Sequence, residues 1–297
     1  MKNIVLFFIM MCFGIVTVQS QDKFAELRTE LSSVIAPFQG TVGIAMIDLQ
    51  NNDTLTVHNS IHFPMMSVYK LPQAIAVLHE IDKGTLSLHE KIRITKDMLD
   101  NFTWSPLKEQ HPGDTLELTI KELIGYTISY SDNLACDVLF ERLGGTKNVH
   151  HFIQKSGFPH IIIQNTEREM GKDNSLIYQN SSTPFEMCRL LKKLYEKELL
   201  SDSSTAFLFE CMTTNYTSSA RLKGLLPSAH TVAHKTGTNV SDSLVYACND
   251  VGIISFPHGK RLAISVFTMN AKETYKASEE IIAKISKSID NFYGKTK

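Results

Sequence analysis

In "PMMSVYKLP", residues 64–72, a hydroxyl at Ser67 and an amine at Lys70 lie three positions apart inside an apolar stretch. A neutral hydroxyl is a poor nucleophile and must lose its proton as it attacks. One helical turn separates the two residues, so their side chains share a face and can hydrogen-bond. A helix beginning at the serine would add unpaired N–H groups and a positive dipole end, both of which favour negative charge developing there. The apolar flanks would partly desolvate Lys70. Pro72 lacks the N–H that would bond the Val68 carbonyl, so the first turn is expected to be irregular.

Spacing alone decides nothing, because Ser-x-x-Lys recurs at Ser20–Lys23 and Ser105–Lys108. The first pair straddles an expected export cleavage site. The second lies in the polar segment "WSPLKEQHPGD", where Pro106 argues for a turn and a solvated lysine. Two further tripeptides give Ser67 and Lys70 a context. "YSDN" puts Ser131-Asp132-Asn133 in the loop after a helix, and "AHKTGTN" puts Lys235-Thr236-Gly237 within a β-strand. Glycine inside a strand suggests close approach by another backbone or a ligand. Alone, each tripeptide reads equally well as turn or strand-end chemistry. It is their order along one chain that carries weight.

With these three motifs, and with "FPMMSVYK" and "HKTGT" in particular, the mature chain resembles the class A serine β-lactamases and their penicillin-binding relatives. The resemblance implies an exported enzyme that opens the ring of a small β-lactam substrate through an acyl-serine intermediate, with no cofactor. Carried over position by position, it makes Ser67 the nucleophile and Lys70 a proton acceptor or part of the proton network. Ser131 would pass a proton to the departing lactam nitrogen, and Asn133 would bind the acylamino side chain. Lys235 and Thr236 would hold the substrate carboxylate, supported by Arg221 in "SARLKGLLP". Backbone N–H groups of Ser67 and Thr238, flanking the contact at Gly237, would form the oxyanion hole. Trp104, the only tryptophan, resembles the aromatic residue of the cleft wall, although a lone tryptophan is more often core.

A hydrolase must also bring water to the acyl-enzyme, and the resemblance implies a glutamate on an omega-shaped loop for this task. In "QNTEREMGKDNSLIYQN" Glu167 fits best, because Asn180 then falls thirteen residues on, at the loop-closing position. Glu169 is the rival. Gly171 stands where the family has an asparagine that helps hold the water, and Met170 where it has leucine. Asn165 and Asn180 replace an Arg–Asp pair, so that ion pair cannot form here. An atypical loop closed by other contacts is expected, with Gln179 or a main-chain group orienting the water. These departures, with "TWSP" and "YQN", are similar to the cephalosporinase and extended-spectrum branch. Ala74 and Ile124 occupy the places of a disulfide found in some class A enzymes. A penicillin-binding DD-peptidase is the alternative, and a non-catalytic binding or sensor domain on the same fold is a third reading.

These side chains need a scaffold, and periodicity supplies its outline. Phe24, Leu27, Leu31 and Ile35 recur at helical spacing, followed by two β-rich runs, "TVGIAMIDL" and "TLTVHN". From about 65 to 212 the pattern is helical, with a capping box at Thr119 and Glu122 and a Gly-Gly stop after "NLACDVLFERL". "DVGIISF" and "RLAISVF" read as a hairpin, and Ile281, Ile285, Ile289 and Phe292 as a last helix. The expected fold is α/β of the α+β type, similar to the β-lactamase/transpeptidase architecture. Residues 21–62 and 213–297 would build an antiparallel sheet flanked by helices, with an inserted all-helical domain over 63–212. A cleft between two such parts is where a site tends to form.

The 297 residues are 43% apolar with a formal net charge of −1, which suits a sizeable core and gives nucleic acid no basic patch to bind. "MKNIVLFFIMMCFGIVTVQSQ" reads as a secretory signal over residues 1–20, cleaved after Ser20 and directing the chain to the bacterial periplasm. Its apolar run of about 15 residues is short of the roughly 20 that span a bilayer, so no membrane anchor remains after cleavage. A monomer is the default expectation. Cys136, Cys188, Cys211 and Cys248 form no C-x-x-C pair and read as buried free thiols. No histidine array suggests a metal site.

Overall fold

Phe24, Leu27 and Leu31 are buried along one side of α1 (Ala25–Ile35), as their spacing requires. The structure, a computed structural model, describes residues 22–100, 104–112 and 115–295, so the expected signal segment lies outside the described residues. In chain order α1 is followed by β1 (Thr41–Asp48), β2 (Thr54–Val57), β3 (Phe63–Pro64) and α2 (Lys70–Asp82). Next come β4 (Lys91–Ile94), α3 (Lys96–Asp100), α4 (Pro106–Gln110), β5 (Leu116–Thr119), α5 (Ile120–Ser129), α6 (Asn133–Arg142) and α7 (Thr146–Lys155). The chain then forms α8 (Glu167–Lys172), β6 (Ser181–Ser182), α9 (Pro184–Tyr195) and α10 (Asp202–Thr213). It ends in β7 (Thr231–Val240), β8 (Val245–Ser255), β9 (Arg261–Ala271) and α11 (Tyr275–Lys295).

The five-stranded antiparallel sheet runs β2-β1-β9-β8-β7, so strands from the two ends of the chain pair at β1–β9. Successive side chains of a strand point to opposite faces. In β1, Ala45 and Ile47 enter one core while Val42, Ile44 and Met46 enter the other. In β9, Ala263 and Phe267 oppose Leu262, Ile264 and Val266 in the same way. Both faces are covered, which is why these strands read as near-continuous apolar runs rather than alternating ones. One face carries α1 and α11, through Ile281, Ile282, Ile285 and Ile289. The other carries α9 and the remaining helices. Each fully buried aliphatic side chain here is worth roughly 1.5–3 kcal/mol.

Two short ribbons accompany the helices of the middle segment. One, β4–β5, leads into the capping box of Thr119 and Glu122 at the start of α5. The other, β3–β6, pairs Phe63 with Ser182 and Pro64 with Ser181, and so ties the end of the omega-loop segment to the stretch just before Ser67. Gly144, at φ +79°, takes the left-handed conformation that ends α6 at the Gly-Gly stop.

Candidate active site

Ser67 sits within a 3-10 turn, Met66–Tyr69, that runs directly into α2. The irregular entry follows from Pro72, which cannot donate to Val68. Met66 holds φ at +48°, a conformation rare for a residue with a β-carbon. Lys70, one turn on, is fully buried. Its Nζ donates to the Ser131 carbonyl at 2.8 Å and to Asn133 Oδ1 at 2.6 Å, and lies 3.0 Å from Glu167 Oε1. The Ser67 hydroxyl is not among these partners, contrary to the direct bond expected from spacing. A carbonyl, an amide oxygen and a carboxylate are stronger acceptors for an ammonium than a hydroxyl is.

Ser131 lies between α5 and α6 at φ +58°, and its Oγ accepts from Lys235 Nζ at 2.9 Å. Asp132 fixes that loop. Its Oδ1 accepts from Ala135 N as the N-cap of α6, while Oδ2 accepts from Ser105 Oγ and Leu107 N, all at 2.8 Å. Ser105 is therefore a buried helix cap of α4 rather than part of a simple turn, because its hydroxyl has a carboxylate to bond as well as Lys108 N. Lys235 is fully buried on β7. Burial, then the like charge of Lys70, push its amine well below the ordinary lysine value, so an anion beside it would be welcome.

Gly237 meets the requirement anticipated for it. A β-carbon there would collide with the Met65 carbonyl oxygen and stand only 3.1 Å from Val68 N, so β7 lies directly against the turn that carries Ser67. Behind the strand, buried Arg221 donates to the carbonyls of Gly237 (3.2 Å) and Asn249 (2.7 Å), to Thr238 Oγ1 (2.6 Å) and to Tyr275 OH (2.8 Å). Its Nε donates to Glu279 at 3.2 Å.

A cleft of about 590 Å³ is lined by Ser67, Trp104, Ser131, Asn133, Glu167, Thr236 and Thr238. Lys70, Lys235, Gly237 and Arg221 stand behind its wall. Trp104 is half exposed at the rim, not core.

Glu167 opens α8, whose N-cap is Thr166 in a second capping box with Glu169. The Glu169 carboxylate accepts from Thr166 N and Oγ1, so the rival glutamate is occupied by capping and exposed outside the cleft. The Glu167 carboxylate is buried. Its Oε1 approaches Lys70 as an ion pair by distance, but has no partner of hydrogen-bond geometry among the described residues. Asn180 closes the loop without charge: its Oδ1 accepts from Gln164 N (2.8 Å) and Asn165 N (2.9 Å), and its Nδ2 donates to the Asn165 carbonyl (2.8 Å). Gln179 is exposed and accepts from Asn165 Nδ2 at 3.1 Å, so its amide serves the loop rather than the cleft. Gly171 lines the cleft, and a β-carbon there would meet nothing within 4 Å.

One residue of the site belongs to no motif. Asp137, buried on α6, accepts from Glu167 N at 2.8 Å and Arg168 N at 3.0 Å. Its i,i+4 position from Asn133, which places both on one helix face, was the only signal for it. The four cysteines of the described residues are free and buried.

A serine in a strained turn, a buried lysine one turn on, a carboxylate paired with that lysine in the same cleft and a second serine–lysine pair suit a protein that transfers acyl groups through serine. The chain belongs to the beta-lactamase enzyme family, whose profile matches residues 26–293. It is 42% identical to the β-lactamase VEB-1 of Pseudomonas aeruginosa over 98% of each chain. It is 35% identical to the extended-spectrum β-lactamase PER-1 of the same organism, covering 90% of this chain and 87% of that one. The crystal structure of a β-lactamase from Chitinophaga pinensis matches with a TM-score of 0.87 and 40% identity, over 90% of this chain and 98% of that one. The protein is a class A serine β-lactamase, a hydrolase of the β-lactam ring, which sets aside the DD-peptidase and binding-domain readings. No helix among the described residues is long and apolar enough to cross a membrane.

Proposed function

We propose that Ser67 opens the β-lactam ring and that Glu167 serves both halves of the reaction as the base. The observation that carries this is the Glu167 carboxylate, buried in the cleft wall, whose Oε1 lies 3.0 Å from Lys70 Nζ and has no other hydrogen-bond partner among the described residues. The Lys70 Nζ hydrogens are already directed at the Ser131 carbonyl, Asn133 Oδ1 and the Glu167 carboxylate. The Ser67 proton therefore passes to Glu167 over a bridging water as Oγ attacks the lactam carbonyl. The oxyanion is met by the N–H groups of Ser67 and Thr238, a contact worth roughly 3–4 kcal/mol. Ser131, bonded to Lys235, gives its proton to the departing nitrogen and takes back, by way of Lys70, the proton that Glu167 had received, which returns Glu167 to its carboxylate form. Lys235 and Thr236 hold the substrate carboxylate with Arg221 behind them, Asn133 takes the acylamino group, and Trp104 walls the cleft. Glu167 then activates the water that splits the ester.

Cephalosporins, including those with bulky oxyimino groups, are the substrates this reading favours. The open space at Gly171, the uncharged loop closure at Asn165 and Asn180, and the likeness to PER-1 support it. Residues 1–20 act as a signal removed on passage to the periplasm, where the mature monomer works. Its sheet part comprises 21–62 and 213–297, and its helical part 63–212.

Nitrocefin and cefotaxime hydrolysis by the mature protein tests this directly. Ser67→Ala should abolish both, and Glu167→Gln should slow acylation but halt deacylation, so that an acyl-enzyme still accumulates and is visible by mass spectrometry. Turnover without a trapped adduct in the glutamine variant would remove Glu167 from its role.

A further inference from the structure

The nucleophile turn is gripped from two sides. Met65 N donates to the carbonyl of Asn180 in the omega loop at 2.8 Å. On the other side, Asn249 of β8 donates through Nδ2 to both the Pro64 carbonyl (2.8 Å) and the Met65 carbonyl (3.1 Å). Asn249 is fully buried, and its amide orientation is unambiguous, because Oδ1 accepts from Thr268 N at 3.2 Å. Asn249 also pairs with Gly237 across the sheet, and its own carbonyl accepts from Arg221. One side chain thus links three parts: the turn carrying Ser67, the strand carrying Thr238, and the arginine behind that strand.

We infer that Asn249 is a positioning residue for acylation, holding the Pro64 and Met65 carbonyls so that the Ser67 and Thr238 N–H groups keep the separation an oxyanion needs. The Met65 oxygen stands where a β-carbon on Gly237 would be, one residue from Thr238, while Met65 is two residues from Ser67. Any drift of that carbonyl changes the gap between the two donors. The left-handed Met66 between Met65 and Ser67 is an uncommon conformation that the surroundings must enforce, and Asn249 supplies two of the bonds that do so. Asn249 is fully buried and does not line the cleft, so it acts through Ser67 rather than on substrate.

This inference rests on the acyl-serine reading above, and its test separates the two. In the Glu167→Gln background, the rate of acyl-enzyme formation from nitrocefin reports acylation alone, and burst amplitude counts competent sites. Asn249→Asp keeps the shape and the acceptor for Thr268 N but turns an oxygen toward two carbonyls, and Asn249→Ala removes the donors without adding charge. A displacement of the order of an ångström is worth about 10²-fold in rate. The acylation rate per competent site is expected to fall by about that factor in Asn249→Asp and by roughly tenfold in Asn249→Ala. With Glu167 restored, deacylation of the adduct should change far less, a split that loss of fold would not produce. Variants that acylate at the parental rate per competent site, whether or not fewer sites are competent, overturn the inference. Continued turnover by Glu167→Gln alone with no trapped adduct would instead overturn the reading on which it rests.

Discussion

Glu167 is held at its backbone by Asp137: the Glu167 N–H donates to Oδ1 at 2.8 Å and the next amide, from Arg168, donates to Oδ2 at 3.0 Å. A carboxylate thus receives two of the unpaired N–H groups that begin α8, and in doing so anchors the omega loop to α6. The same arrangement places two buried carboxyls side by side, which has a consequence for pH.

Burial, then the negative charge of Glu167, push the Asp137 carboxyl up to about 7. In the unfolded chain an aspartate titrates at about 3.9. Between about pH 4 and 7 the native protein therefore holds a proton that the unfolded chain has lost, and stability falls as pH rises through that window. Asp137→Asn removes this titration. Relative to the parent, the variant should gain in unfolding free energy from pH 4 to 7 and remain level above, on top of a constant loss for the N–H it no longer accepts. Urea unfolding across that range measures the difference, and a difference independent of pH would contradict the assignment.

Asn180 closes the loop with one donor and one shared acceptor, entirely buried. Asn180→Asp preserves the acceptor, loses the bond to the Asn165 carbonyl and leaves a buried charge without a cation. The expected loss is roughly 3–5 kcal/mol. Adding Asn165→Arg should recover part of it, since it supplies the missing partner. Denaturant midpoints at pH 7 check both steps; a single variant as stable as the parent would show that the loop tolerates the charge.

Gly237→Ala would set a β-carbon against the Met65 carbonyl, a backbone atom that cannot swing aside. Either β7 or the turn carrying Ser67 must move. Overpacking of this kind costs about 1–3 kcal/mol, and acylation should slow along with it. Thermal unfolding and nitrocefin burst kinetics read the two effects; an unchanged burst would mean that the strand and turn separate freely.

Arg221→Lys keeps the charge but loses the planar fork that bonds Gly237, Asn249, Thr238 and Glu279 together. We expect kcat/KM for carboxylate-bearing substrates to fall roughly tenfold or more, chiefly through KM, matching the loss of about one net hydrogen bond to the carboxylate site. A variant whose KM is unmoved would place the carboxylate elsewhere.

Much of this molecule was legible along the chain. Ser67-x-x-Lys70, Ser131-Asp132-Asn133 and Lys235-Thr236-Gly237 are short motifs whose chemistry lies in residue type and spacing, and apolar periodicity outlined α1, β1, the β8–β9 hairpin and α11 before any coordinates. Glu167 was separable from Glu169 only by its distance to Asn180; in the fold, the Thr166 capping box claims Glu169 and leaves Glu167 to the cleft. The partners that hold the machinery in place left almost no trace along the chain, Asp137 only its i,i+4 place after Asn133 and Asn249 none. Asp137 meets Glu167 across 30 residues and Asn249 meets Met65 across 184, and neither belongs to a motif or a period. Local sequence determines which groups can react and which segments coil or extend, because both depend on near neighbours. Which distant amide or carboxylate satisfies a given buried N–H or carbonyl depends on how sheet and helices pack, and only the tertiary structure decides that.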